Sequence, residues 1–243
     1  MAGDAGIAKT ISVIVPAYNE EGNLRNTVEG IEQILNGYFS EYEILIFNDC
    51  STDHTGEIAN ALAERNPKIR VIHNSQNMGF GYNYVKGVEV AQKNYIMLIP
   101  GDNEISEESI GGICDRIGDA DIIIPYTVNT WVRSFSRRVI SRAFTNLVNL
   151  IAGLNLHYYN GPCIHRSDII KSVQMTTFGY AYMASNLARL IKSGCNYVEI
   201  GMYLKPRKHG ESKAFRIKNI LRVLKTLSEL FWDIRIKGIR KVY

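Results

Sequence analysis

No Cys-x-x-Cys pair occurs in this chain; its four cysteines, Cys50, Cys114, Cys163 and Cys195, stand far apart. That spacing argues against a zinc site or a disulfide framework and fits a reducing, cytoplasmic compartment. No stretch approaches the ~20 apolar residues that cross a bilayer. The nearest candidate, residues 143–154, is too short and carries Asn146 and Asn149. Residues 1–9 lack the apolar core of a secretory signal. Internal repeats and low-complexity stretches are also missing. These absences leave one α/β domain with a tail as the expected organisation of 243 residues.

Hydrophobic residues make up 46% and charged residues 21%, ordinary values for a globular protein. The charge is unevenly spread. From Lys205 onward there are 12 basic and 3 acidic residues, against 16 and 21 before it. A basic tail on an acidic body points to a polyanionic partner, either nucleic acid or an anionic membrane surface. A nucleic-acid partner leaves the acidic clusters described below without a role, so none is expected.

Short β-branched runs alternate with helical spacing through residue 125. Strands are expected over 11–15, 42–47, 69–73, 95–99 and 121–124, with helices near 22–36, 54–65, 80–92 and 106–117. This is the pattern of a doubly wound, mostly parallel sheet. Beyond Tyr126, residues 131–154 read as one or two helices, 179–192 as a helix and 196–204 as a strand. On the first of these, Arg133 and Arg137, and Arg138 and Arg142, are four apart and so share a helix face. Residues 215–237 read as a long amphipathic helix with an apolar face that includes Leu224, Leu227, Leu230 and Phe231.

Three strands end in polar clusters. Residues 11–15 lead to Pro16, Tyr18, Asn19 and Glu20; residues 42–47 to Asn48, Asp49 and Asp53; residues 95–99 to Pro100, Gly101, Asp102 and Glu104. Ligands of open α/β sheets bind at the carboxyl ends of strands, so these clusters are expected to meet at one cleft. Carboxylates there can hold a divalent cation and, through it, a diphosphate. Each cluster also has a plainer reading. Ser51, Thr52 or Asp53 can cap a helix. Glu104 can belong with Glu107 and Glu108 to a helix start, where acids favour the dipole. The arginines of residues 133–142 can form a solubilising face, and residues 158–162 can either line an acceptor or sugar site or form a tight turn requiring Gly161.

Three segments taken together are more specific. Residues 12–20 (Ser-Val-Ile-Val-Pro-Ala-Tyr-Asn-Glu), 48–55 (Asn-Asp-Cys-Ser-Thr-Asp-His-Thr) and 207–213 (Arg-Lys-His-Gly-Glu-Ser-Lys) resemble family 2 glycosyltransferases, above all the polyprenyl-phosphate glycosyltransferases that include the dolichol-phosphate mannose synthases. The resemblance spans roughly residues 10–215. It implies a GT-A fold, Rossmann-like, over residues 10–214, between a loose N-terminus at 1–9 and a basic helical tail at 215–243. It implies a nucleotide-sugar donor, UDP- or GDP-linked, bound by Pro16, Tyr18, Glu20, Asp49, Asp53, Gly101 and Asp102. Asp102 matches the second acid of the family's Asp-x-Asp signature, whereas Pro100 replaces the first. Glu104 falls where the mannose synthases carry a metal-ligating glutamine, so Asp102 and Glu104 are the expected ligands of Mg2+ or Mn2+. Arg207 and Lys213 match residues that cover the diphosphate and, with Asp102, form the expected catalytic set. Arg137 and Ser141 match a pair that grips an acceptor phosphate. A second family arginine falls where this chain reads Pro125-Tyr126-Thr127, and Arg133 is its candidate substitute.

An inverting transfer to a hydroxyl needs a general base. Between Arg166 and Val198 the chain offers only Asp168 as an acid. A phosphate monoester is already ionised and needs no base, so a polyprenyl phosphate is the favoured acceptor. A glycan hydroxyl, with a base from Asp102 or Glu104, and a weakly catalytic nucleotide-sugar binder are the alternatives. The expected location is the cytoplasmic side, peripheral to an anionic membrane. The tail helix can lie on that surface, pack on the domain or join a second subunit in a homo-oligomer.

Overall fold

A computed structural model describes residues 8–173, 175, 178–179, 181–206 and 217–239, and the side chains of these apart from residues 217–222. Its strands are β1 (Ile11–Ala17), β2 (Tyr42–Asn48), β3 (Ile69–His73), β4 (Tyr95–Leu98), β5 (Ile122–Thr127), β6 (Ile164–Arg166) and β7 (Tyr197–Met202). They form one sheet in the order β3-β2-β1-β4-β6-β5-β7. Every neighbouring pair is parallel except those of β6, which runs antiparallel to both β4 and β5. The mostly parallel α/β sheet expected from the alternating pattern is therefore present. Strand β6 and the short helix after it were not foreseen, because three residues carry too little periodicity to register.

The helices are α1 (Leu24–Tyr38), α2 (Thr55–Arg65), α3 (Phe80–Val90), α4 (Glu107–Asp115), α5 (Phe135–Ala152), α6 (Ser167–Ser172), α7 (Tyr182–Lys192) and α8 (Ile217–Phe231). A 3-10 turn, Thr130–Val132, precedes α5, and a π-helical turn, Trp232–Lys237, follows α8. All seven residues of β1 and of β2 are buried, as central strands covered on both faces must be. Alternate side chains go to opposite faces. Val13, Val15, Ile44 and Ile46 pack with Val28, Ile31 and Leu35 of α1 and with Ile113 of α4. Ile14, Leu45 and Phe47 pack in the other layer with Tyr84 of α3, Val148 of α5 and Leu187 of α7.

Helix α8 adds to that second layer. Leu227 and Leu230 are buried in it, so part of the tail's apolar face packs on the domain. Arg235 donates to the carbonyls of Leu150 and Ile151, which fixes the π-helical turn to the end of α5. Arg133 lies before α5 rather than on it, so it does not share a helix face with Arg137. The pre-helical 3-10 turn breaks the register that a spacing of four assumed.

Candidate active site

Strands β1, β2 and β4 run in one direction, so their exits open on one edge of the sheet. Each exit holds a non-glycine residue with positive φ: Asn19 at 57°, Cys50 at 61° and Asn103 at 54°. No other non-glycine residue among those described adopts this conformation. Left-handed backbone at a non-glycine residue is unfavourable by roughly 1–3 kcal/mol and persists only where its surroundings fix it. Its concentration at three adjacent strand ends marks this edge as a built site.

The first two exits are laced together. Asn19 N–H donates to Ser51 Oγ at 3.1 Å, and Asn19 Oδ1 accepts from Thr52 N–H at 2.9 Å. Glu20 N–H donates to Thr55 Oγ1 at 2.8 Å, and Glu21 N–H to Asp53 Oδ2 at 3.2 Å. Asp53 also accepts from Thr55 N–H at 3.0 Å, the helix-start role that its position allowed. Burial works against ionisation of Asp53, but these hydrogen bonds prevail and hold its carboxyl below the usual range. At the rim, Glu21 accepts from His54 N–H at 3.0 Å and lies 2.9 Å from its Nδ1. That side-chain contact raises the imidazole pKa. Pro16 is buried within β1, Tyr18 and Glu20 are half-buried just beyond it, and Glu20 accepts from Asn23 Nδ2 at 2.7 Å.

Asp49 is buried, and it gathers the loop that follows β3. Its Oδ1 accepts from Asn74 Nδ2 at 2.7 Å and Met78 N–H at 2.8 Å; its Oδ2 accepts from Gly79 N–H at 2.9 Å. Asn74 also donates to Asn83 Oδ1 at 2.6 Å, which links the cluster to α3. A carboxylate has about four acceptor positions, so these three bonds leave Asp49 one more. The sequence did not point to Asn74 or Asn83, because nothing local ties them to an acid so far upstream.

The third exit is fastened to β1 and to the end of β7. Gly101 N–H donates to Pro16 O at 3.1 Å, and a side chain there would crowd Ala17 and Pro16 O. Asp102 is half-buried, with Glu104 N–H 3.3 Å from its Oδ1. Glu104 is buried, and its carbonyl accepts from Lys205 N–H at 2.7 Å. Beside it, Ile105 forms an antiparallel bridge with Leu204. Lys205 Nζ reaches Asn103 Oδ1 at 3.1 Å and Glu107 Oε1 at 2.5 Å, and this hydrogen bond lowers the Glu107 pKa. Buried Asn129 holds the backbone of Leu204 at both ends, accepting from its N–H at 2.9 Å and donating to its O at 2.8 Å. The chain therefore enters residues 207–213 from a point fixed beside Asp102 and Glu104. Arg207 and Lys213 themselves lie outside the described residues. Sequence reasoning passed over Lys205 and Asn129, whose roles depend on strand exits distant in the chain.

Beyond β5, Arg133 Nη1 donates to Tyr158 Oη at 3.2 Å, and the guanidinium lies 5.8 Å from the Tyr158 ring. Its Nε is buried with no hydrogen-bond partner among the described residues, as is Thr127 Oγ1 at the end of β5. Gly161 packs on Pro125, where a Cβ would overlap the Pro125 carbonyl, so this turn needs its glycine. Arg137 and Ser141 are half-buried, one turn apart on α5. Asp168 is salt-bridged to Arg166 at 2.6 Å. It lies at the opposite edge of the sheet, where Arg166 pairs with Tyr95 at the start of β4.

The sequence model described as glycosyl transferase family 2 matches residues 12–170, well over half of the chain. The chain belongs to that family. This glycosyltransferase is 24% identical over 234 residues to the dodecaprenyl-phosphate galacturonate synthase of Rhizobium johnstonii, covering 94% of the chain and 68% of that protein. It is 26% identical over 238 residues to the polyprenol monophosphomannose synthase of Mycolicibacterium smegmatis, covering 92% and 86%. Among solved structures, glucosyl-3-phosphoglycerate synthase from Mycobacterium tuberculosis in complex with Mn2+, UDP and phosphoglyceric acid superposes with a TM-score of 0.69 at 15% identity, over 93% of this chain and 79% of that one. The glycosyltransferase thus has the expected GT-A fold.

Among the described residues, no three His, Cys, Asp or Glu side chains gather as a cation site. This does not exclude Mg2+, which proteins commonly hold by one or two carboxylates while substrate phosphates and water supply the rest. The donor set at the third exit, Asp102 with Glu104 two residues on, fits that mode and not an all-protein cage.

Proposed function

We propose that this glycosyltransferase moves a sugar from a UDP- or GDP-sugar to a polyprenyl phosphate, with inversion, at the cytoplasmic face of a membrane. The observation that carries the reading is the chemistry of the half of the edge beyond β5. It offers Arg133, with its buried unpartnered Nε, and the Arg137 and Ser141 pair. Among the described residues it offers no carboxylate placed to act as a base: Asp168 is tied to Arg166 at the far edge, and Glu199 accepts from His157 N–H at 2.8 Å and lies 3.0 Å from its Nδ1. A hydroxyl acceptor needs a proton removed, whereas an ionised phosphate attacks without a base. The names of the two relatives above point to the same acceptor class.

On this reading Pro16, Tyr18, Glu20, Asp49 and Asp53 shape the nucleoside pocket, with Gly101 bringing the third exit against it. Asp102, with Glu104, would hold Mg2+ or Mn2+, and that ion would supply charge neutralisation at the diphosphate. Arg207 and Lys213, in the segment that follows Lys205 in sequence, are the cations assigned to the same diphosphate by the family motif. Cations placed where leaving-group charge develops stabilise the transition state. Arg133, Arg137 and Ser141 orient the acceptor phosphate oxygen toward the anomeric carbon.

The test is a panel of UDP-, GDP- and dTDP-sugars, followed for release of nucleotide with and without a short-chain polyprenyl phosphate. Release that depends on the lipid phosphate, and is lost in a folded Asp102→Ala variant, is the expected result. Release driven equally well by a glycan acceptor, or near wild-type turnover by Asp102→Ala, overturns the reading.

A further inference from the structure

The outward side of α5 is unusually apolar for a solvent-facing helix. Phe135, Val139, Ile140, Leu147 and Leu150 are all exposed, while Thr145, Val148 and Ala152 on the other side are buried. Phe135 and Leu150 are each 73% exposed, and Trp131 in the preceding turn is 69% exposed. An 18-residue helix is about 27 Å long, so this face is extended rather than a local patch. Its only charges are positive. Arg138 and Arg142 are exposed beside the apolar residues, with the Arg138 guanidinium 5.6 Å from the Phe135 ring. No Asp or Glu occurs anywhere between Asp121 and Asp168.

We infer that this face of α5, with Trp131, is the surface by which the enzyme lies on an anionic bilayer. Aromatic and aliphatic side chains flanked by arginine are the composition of a helix seated in the headgroup region. Trp favours that depth because its ring is amphipathic. The absence of acids removes the repulsion that a negative surface would meet. The tail helix is a weaker contact, because Leu227 and Leu230 are already buried against the domain. The inference rests on the lipid-phosphate reading and deepens it: Arg133, Arg137 and Ser141 lie on or just before the same helix, so docking α5 brings the acceptor site to the lipid headgroups.

The chain's two tryptophans, Trp131 and Trp232, allow a direct test in the full-length protein. In Trp232→Phe the remaining Trp131 is expected to be quenched by brominated lipid in vesicles of phosphatidylcholine and phosphatidylglycerol. In Trp131→Ser/Phe135→Ser, partition into these vesicles should fall about tenfold or more per residue. Arg138→Gln/Arg142→Gln should lose about fivefold per charge, and only with anionic lipid. Transfer to a short-chain, water-soluble prenyl phosphate without a bilayer should persist in both variants. Quenching of Trp232 but not Trp131 would assign the contact to the tail and overturn the inference. So would wild-type partition by the Trp131/Phe135 variant, or a dimer in sedimentation that this variant abolishes. A wild type that transfers to the prenyl phosphate but does not bind the vesicles overturns the docking face alone. Absence of that transfer overturns the acceptor reading.

Discussion

Asp49→Asn keeps the shape of the side chain and changes only its hydrogen bonding and charge. In the wild type, two oxygens accept three bonds, from Asn74, Met78 N–H and Gly79 N–H. The best placement of the amide keeps its oxygen toward Asn74 and Met78 and turns its NH2 against Gly79 N–H. That leaves one backbone donor unpaired, at about 1–3 kcal/mol. The two surviving bonds lose their charge assistance, about 0.5–1 kcal/mol each. The sum is roughly 3 kcal/mol, which for a chain of this size corresponds to a fall in Tm of about 6–12 °C. Urea unfolding with an unchanged m-value and a lower midpoint would report it. Amide exchange should accelerate at Met78 and Gly79 well before it does at Ile96 in the central strand β4. An unchanged midpoint with intact protection at Met78 and Gly79 would refute the view that Asp49 organises this loop.

Arg133→Gln should raise KM for a prenyl phosphate about 10–100-fold, the loss of one charge-assisted phosphate contact, with little change for the donor; equal rises in both KM values would remove Arg133 from the acceptor side. Lys205→Met keeps the aliphatic stem but frees Asn103 and Glu107, so stability should drop by no more than about 1 kcal/mol while kcat falls at least tenfold. Unchanged turnover would show that this tie does not serve the function of residues 207–213. The ionic part of the Glu21–His54 contact has a pH window. His54 is raised above 6.5, so its contribution is full below that value and lost as pH rises through the folded pKa; Glu21 is lowered from 4.5, so its contribution is present above that value and lost as pH falls through its folded pKa. In Glu21→Gln the His54 titration, followed by NMR, should drop back toward 6.5, and an unmoved titration would refute the pairing.

What could be read from the chain was what its local chemistry encodes. The run at residues 42–47 became β2 with near-identical bounds, because a buried parallel strand needs a continuous apolar segment, and residues 69–73 became β3, an edge strand with one face partly open. The polar residues after β1, β2 and β4 were placed at one edge because parallel strands must end together. Strand β6 escaped notice because its place in the sheet is set by its neighbours rather than by its own three residues. The partners of Asp49 were equally hidden, since Asn74, Met78 and Gly79 meet it only after α2 and β3 have returned the chain. Arg133 was the candidate substitute for a family arginine missing at residues 125–127, and its hold on Tyr158, 25 residues on, is a contact that no local pattern announces.

Strand β6 also sets how the edge is divided. Because it runs backward between β4 and β5, those two strands share no hydrogen-bond ladder, and their ends stand about two strand spacings apart, near 9–10 Å. In front of that gap the halves are strapped together by residues 104–106 and 203–205. The two halves stay coupled by that strap and, beneath the sheet, by Val148 of α5 and Leu187 of α7, which pack in one layer with Ile14 of β1 and with Leu45 and Phe47 of β2. On the proposed reading, donor and acceptor therefore meet across a seam that is bridged at the sheet edge by two short antiparallel segments.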